Sequence, residues 1–123
     1  MAHRYWALTW KVKPGTEQKV RELFAAYGRP DHTVRDAAGN EIGTLFGTQV
    51  YMKDNVIVRV VETDVDDLRV LAMHMGRQPA IRELETKLDE YLEVPRDMST
   101  PEGAGKFFRE TSMDCLVSRR HDE

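Results

Sequence analysis

The sequence predicts an α+β domain in the order β-α-β-β-α(α)-β, with helices covering one face of an antiparallel sheet. Three observations carry that prediction. Strand-like runs occur near the N-terminus and on both sides of a turn at Lys53-Asp54-Asn55. A helical stripe follows from Leu68 to Leu92, broken at Gly76-Arg77-Gln78-Pro79. A last strand is then expected from Lys106 to beyond Leu116.

From Tyr5 to Val12 the residues alternate, with Trp6, Leu8, Trp10 and Val12 on one face and Tyr5, Ala7, Thr9 and Lys11 on the other. Pro14-Gly15 ends this strand and Thr16 suits a helix N-cap. Val20, Leu23, Phe24 and Tyr27 fall on one helical stripe, and Gly28 and Pro30 stop it. Residues 29 to 41 read as polar and turn-rich. Ile42 to Met52 is a strand whose Gly43 and Gly47 suit a bulge or a close backbone approach. Val56 to Val61 is β-branched except for Arg59.

Asp64 or Asp66 is the expected cap of a helix carrying Leu68, Leu71, Ala72 and Met75. Pro79 opens a second helical segment with Ile81, Leu84, Leu88, Tyr91 and Leu92. Glu93 to Gly105, with two prolines and two glycines, reads as loop, and 95–103 suits a lid. Helices on one face leave β-branched residues on the other, so a homodimer joined through the sheets is expected.

With 123 residues the chain suits one domain over 1–123, and 41% hydrophobic against 32% charged residues describes a globular protein rather than a disordered one. A net charge of −3, with both signs interspersed, argues against nucleic acid. No apolar run suits a membrane span or a signal peptide, so a cytoplasmic protein is expected. Cys115, within Met113-Asp114-Cys115-Leu116-Val117, is expected as a buried, inert thiol in a strand. His3, His32, His74 and His121 lack ligand-type helical spacing, so no metal is expected. No glycine-rich dinucleotide motif or nucleophile elbow is present, so no cofactor is expected either.

Gln49-Val50-Tyr51-Met52-Lys53-Asp54-Asn55-Val56-Ile57-Val58-Arg59-Val60, His74-Met75-Gly76-Arg77-Gln78-Pro79-Ala80 and Leu92 to Gly103 together resemble SchA/CurD-like proteins of aromatic polyketide clusters. More distantly, the layout is similar to tetracenomycin-type polyketide cyclases and cofactor-free monooxygenases of the dimeric, ferredoxin-like α+β barrel superfamily. The resemblance implies an aromatic, type II polyketide or spore-pigment intermediate as substrate. It also implies a cofactor-independent oxygenase, with an aromatic polyketide cyclase or a non-catalytic polyketide-binding subunit as alternatives. Contact with other polyketide synthase components belongs to the same expectation.

Within that frame His74, at a helix end, is the candidate base, or else a partly exposed helix-end histidine. Arg59 is the candidate stabiliser of a phenolate, enolate or superoxide, or else a structural partner of Glu62 or Asp114. Trp6, Trp10 and Tyr51 offer stacking surface, or else core or interface packing. Tyr27, at a helix end, is placed to bond a substrate carbonyl, or else only packs, and Arg77, in the helix break, completes the substrate-binding set. Alignment with the tetracenomycin-type cyclase sets a candidate acid-base histidine of that enzyme on Arg59 and a second on Tyr27, where no imidazole is available.

Overall fold

The computed structural model describes residues 4–121; His3 lies outside them. The first strand, β1 (Arg4–Lys11), leads through a Pro14-Gly15 turn into α1 (Glu17–Ala25). A short β2 (Thr33–Arg35) precedes the hairpin of β3 (Glu41–Lys53) and β4 (Val56–Thr63), and α2 (Leu68–Gly76), α3 (Pro79–Asp89) and α4 (Pro101–Thr111) follow. The strands form one four-stranded antiparallel sheet in the order β1-β4-β3-β2. The α+β class, the antiparallel sheet and its helical cover are as the sequence predicts.

Alternation decides which residues face the helices. In β4 it is complete: Ile57, Arg59, Val61 and Thr63 are buried, whereas Val56, Val58, Val60 and Glu62 are half-buried on the other face. The register sets Leu8 and Val50 on either side of Arg59, Trp6 and Thr48 on either side of Val61, and Trp10 and Met52 on either side of Ile57. These nine residues make three rows on the covered face.

The hairpin turns at Asp54-Asn55, with Asp54 in the left-handed region at φ 52°. Both β3 glycines have a physical reason. A side chain on Gly43 would collide with Asp64 Oδ1 and Val65 Cγ2, each 2.6 Å away. The register shifts between Leu45 and Gly47, which is the bulge.

Two apolar clusters fill the space under the helices. Leu8, Trp10, Val12, Val20, Ile57, Leu88, Leu92 and Phe107 form one. Val34, Leu45, Val61, Val65, Leu71, Met75 and Ile81 form the other, beneath α2 and β2. Helix α2 is capped by Asp67, whose side chain accepts from Arg69 N, and not by the expected Asp64 or Asp66. Asp64 instead accepts from Thr44 N at 2.7 Å, and Asp66 pairs with Arg4. Pro79 opens α3 as expected, but the helix ends at Asp89, and Leu92 reaches the core through a bridge to Val12.

The C-terminal part departs from the expectation. Residues 101–111 are helix, not loop and strand: Thr100 caps the helix by accepting from Gly103 N at 3.0 Å, Pro101 sits in its first turn, and Phe107 and Thr111 are buried. The expected closing strand leaves one trace, the Leu8–Ser112 bridge with Met113 N donating to Ala7 O. Beyond it residues 113–119 belong to no helix or strand and are exposed, with Leu116 90% accessible. Cys115 is therefore exposed and not a strand-core thiol. The tail ends with Arg120 on Tyr5 and Glu62, at the sheet face the helices leave open.

Candidate functional site

The site is built around Arg59, in the middle row of the covered face. Its Nη2 donates to Glu85 Oε1 on α3 at 2.7 Å. Its guanidinium lies 5.4 Å from the Trp10 ring centre and 5.9 Å from that of Phe24 on α1. The expected partners of Arg59 are thus corrected: Glu62 points to the opposite face and binds Arg120, and Asp114 is exposed in the tail.

Glu85 is shared. Arg96, in the segment between α3 and α4, donates Nη2 to Glu85 Oε2 at 2.8 Å and Nε to Asp89 Oδ1 at 2.6 Å. The Arg96 side chain is only 4% exposed and its guanidinium covers the Phe107 ring at 4.7 Å. One carboxylate therefore sits between two guanidiniums. Burial pushes its pKa up, but Arg59 and Arg96 together outweigh burial and hold it below the ordinary value. Glu85 is an ionised bridge and a poor base.

Five buried polar atoms around this centre have no hydrogen-bond partner: Trp6 Nε1, Trp10 Nε1, Tyr27 Oη, Thr48 Oγ1 and Arg59 Nε. Buried polar groups are normally paired, so these five leave hydrogen-bonding capacity unused around Arg59, within a region packed by the two apolar clusters. Trp6 and Trp10 flank Arg59 along β1, Thr48 lies diagonally across on β3, and Tyr27, just past the end of α1, has its ring tilted against Phe24 with the centroids 5.9 Å apart. Burial raises the Tyr27 phenol above its ordinary pKa, with Arg59 pulling it down and Glu85 pushing it up. It is neutral and able to donate a proton.

His74 belongs to a different set. It is 5% exposed, its Nε2 bonds Asp31 O at 2.9 Å, and its Nδ1 accepts from Arg35 N at 3.4 Å. This pairing requires the tautomer with hydrogen on Nε2. Gln78 adds a contact at 3.4 Å, and Arg77 Nη2 donates to Arg35 O. His74 and Arg77 thus tie α2 to β2 and its approach. The partly exposed helix-end position that was the alternative for His74 is corrected, because the ring is buried with backbone groups on both its nitrogens. Arg77 is exposed and holds a backbone carbonyl. Tyr51 is also displaced: it is 56% exposed on the open face, donating to Gln49 Oε1.

Of the residues singled out from the sequence, the structure places Arg59, Tyr27, Trp6 and Trp10 near one another and His74, Arg77 and Tyr51 elsewhere; Glu85 and Thr48 were missed. Glu85 had a signal: with Ile81, Leu84 and Leu88 it completes an inward helical stripe, so a carboxylate sits where an apolar residue belongs. Arg96, in the proline-rich 95–103 segment, is expected to pair with Asp97 or with the helix ends, and it pairs with Asp89 at the end of α3 and with Glu85. Among the described residues no three His, Cys, Asp or Glu side chains are placed to hold a metal ion, and no helix is long and apolar enough to cross a membrane.

A family model described as the SchA/CurD like domain matches residues 3–120. The chain belongs to that family. This SchA/CurD-like domain is 39% identical over 110 residues to "Polyketide synthase CurD" of Streptomyces cyaneus, covering 89% of the chain and 28% of that protein. It is 38% identical to the "42.8 kDa protein in whiE locus" of Streptomyces coelicolor, over 89% of the chain and 26% of the relative. The chain thus spans just over a quarter of the length of these relatives. Among solved structures, tetracenomycin F2 cyclase from Streptomyces glaucescens, described as a type-II polyketide cyclase, superposes with a TM-score of 0.52. That match has 14% identity and covers 95% of this chain and 97% of that one. The likeness is one of fold.

Proposed function

We propose that this domain acts on an oxygen-rich aromatic polyketide intermediate, and that its chemistry is ring closure through a stabilised enolate. The observation that supports this most is the buried Arg59, with Nε unpartnered, beside the neutral phenol of Tyr27. A carbon between two carbonyls loses a proton readily, so such a substrate needs an anion stabiliser more than a strong base. Arg59 supplies the positive charge where the enolate oxygen develops. Tyr27 supplies the proton to the carbonyl that is attacked, or to the hydroxyl that departs as water. Trp6 and Trp10 provide the flat walls.

The names of the SchA/CurD relatives and the fold shared with a polyketide cyclase agree with the substrate class. The two positions aligned with candidate cyclase histidines, Arg59 and Tyr27, sit around one centre here. An oxygenase acting on the same substrate would use Arg59 to stabilise a phenolate and superoxide, but with His74 as base it would need an imidazole nitrogen that is already hydrogen-bonded. Ring closure is therefore the leading reading and oxygenation the second.

Incubation with a poly-β-ketone intermediate under labelled dioxygen, followed by mass spectrometry, separates the readings. Ring closure gives an unlabelled product lighter by one water, with equal rates in the absence of air. Incorporation of labelled oxygen into product selects oxygenation, and binding without turnover removes both. The proposal extends to a second copy of the chain against the open face, where Ala7, Thr9, Val56, Val58 and Val60 are half-buried. Light scattering of Val58→Asp at micromolar concentration tests it: dissociation of a wild-type dimer supports the contact, and a monomeric wild type removes it.

A further inference from the structure

The residues around Arg59 are closed off. Trp10 and Arg59 are buried, Trp6 and Tyr27 half-buried, and the surface cavity between Pro14, Glu17, Arg21, Asp54 and Asn55 is lined by none of them. On one side the closure is made by the segment between Glu93 and Ser112, which is strung between two points on the free edge of β1. At one end Glu93 N donates to Lys11 O at 2.9 Å beside the Val12–Leu92 bridge. At the other, Met113 N donates to Ala7 O at 2.8 Å beside the Leu8–Ser112 bridge. Among the described residues, every side-chain hydrogen bond and ion pair that leaves 94–111 belongs to Arg96, which holds Glu85 and Asp89 on α3. Helix α4 itself buries only Phe107 and Thr111, and Thr111 Oγ1 is spent on Phe107 O within the helix. Phe107 is therefore the plug: its ring meets Trp10 edge-on at 5.9 Å, and the Arg96 guanidinium covers it at 4.7 Å. The turn leading into α4 is stiff, because Asp97 and Thr100 hold the Ser99 and Gly103 amides. The segment is a strap with two backbone anchors, one buried ring and one latch.

We propose that 94–111 is a hinged cover, latched by Arg96, whose lifting withdraws Phe107 from Trp10 and admits a planar aromatic ligand to the place the ring vacates. The inference rests on the interior around Arg59 being where the domain acts, but it concerns access and not chemistry. The hinge points lie just inside the two anchors, near Val94 and Ser112. A guanidinium forked between two carboxylates holds firmly when shut, and because that hold lies in one side chain, its release frees the whole strap. Lifting leaves Glu85 to Arg59 alone, since the two arginines bind opposite oxygens of that carboxylate. An element tied down at so few places opens at a lower free energy than the sheet beneath it.

Native-state hydrogen exchange of the whole chain, read residue by residue by NMR, tests this first without a ligand. The expected result is that amides from Gly105 to Thr111 share one protection factor, about a hundredfold or more below those of Ile57 to Val61 in β4. Their opening should also depend less on urea than global unfolding does, because it exposes only part of the core. Arg96→Ala should lower protection across α4 about tenfold, while α2 stays within about threefold. In a Trp6→Phe background, where Trp10 is the tryptophan read, Arg96→Ala should raise acrylamide quenching about twofold or more. Saturating 1-naphthol, a planar two-ring aromatic, should hold the cover off and speed α4 exchange in the wild type. The proposal is overturned if α4 exchanges only together with β4, if Arg96→Ala loosens α2 and α4 alike, or if naphthol leaves α4 exchange unchanged or slows it. Should Arg96→Ala not fold, the two wild-type measurements still decide. An opening cover on a protein that turns over no poly-β-ketone keeps the device and loses the ring-closure reading. Turnover by a protein whose α4 opens only with β4 does the reverse.

Discussion

His74 and Arg59 are both buried, both polar and both close to a sheet-covering helix, yet the fold treats them in opposite ways. His74 has a backbone partner on each ring nitrogen, and those partners hold α2 against β2. Arg59 has one carboxylate on Nη2, aromatic rings nearby and an Nε with nothing to bond. A satisfied polar group stabilises a fold, while an unsatisfied one surrounded by other unsatisfied donors costs stability until a ligand arrives. One lies at a helix end and the other in mid-strand, and both read as candidate ionisable groups in sequence; their unspent hydrogen-bonding capacity distinguishes them.

The sharpest test of the architecture around Arg59 is removal of its counter-ion. Glu85→Ala leaves Arg59 and Arg96 facing each other, and a loss of roughly 3–5 kcal/mol is expected in urea unfolding. A smaller effect, under about 1 kcal/mol, would mean that Glu85 is hydrated and the cluster loose. His74→Ala deprives Asp31 O and Arg35 N of partners, for an expected loss of about 1–3 kcal/mol, with activity retained in the folded fraction. Loss of activity without loss of stability would reverse the comparison.

Acid titration probes the same contrast. The pKa of Glu85 is depressed in the folded protein, so its stabilisation is complete above the ordinary carboxylate value of 4.5 and disappears as pH falls through the lower folded value. Unfolding midpoints should therefore fall steeply below about pH 4.5 in the wild type, and less steeply in Glu85→Gln. An unchanged slope would detach Glu85 from the acid transition. Tyr27→Phe gives the smallest structural effect, within about 0.5 kcal/mol, because its hydroxyl has no partner to lose. Its kcat should nevertheless fall by about ten- to a hundredfold if the phenol donates the proton.

Three strands of the sheet were legible, because 4–11, 41–53 and 56–63 alternate and their turn residues are distinct. The fourth, β2 (Thr33–Arg35), was not, because three residues inside a segment read as polar and turn-rich carry no alternation, and the strand expected from Lys106 is helix α4. Gly43 and Gly47 were read correctly from the absence of a side chain. Helix α4 was not legible: Gly103 and Gly105 weaken its helical pattern, and the Thr100-Pro101-Glu102 start signal lies inside a segment that Pro95 makes loop-like. Gly103 is there because a Cβ would come 1.8 Å from Asp97 O, a tertiary constraint with no local signature. At the site, a lone arginine in a β-branched strand was a sound signal, because isolated charge in such a place needs a reason. His74 misled because helix position says nothing about which carbonyl a distant loop will bring.

The central claim is that Arg59, and not His74, holds the charge that develops during reaction. The direct measurement is kcat/KM for ring closure of a poly-β-ketone by folded Arg59→Met and His74→Gln beside the wild type. The expected result is a fall of about a hundredfold or more for Arg59→Met. His74→Gln should stay within about threefold of wild type, a difference under 1 kcal/mol. Equal losses, or the greater loss at His74, would contradict the account.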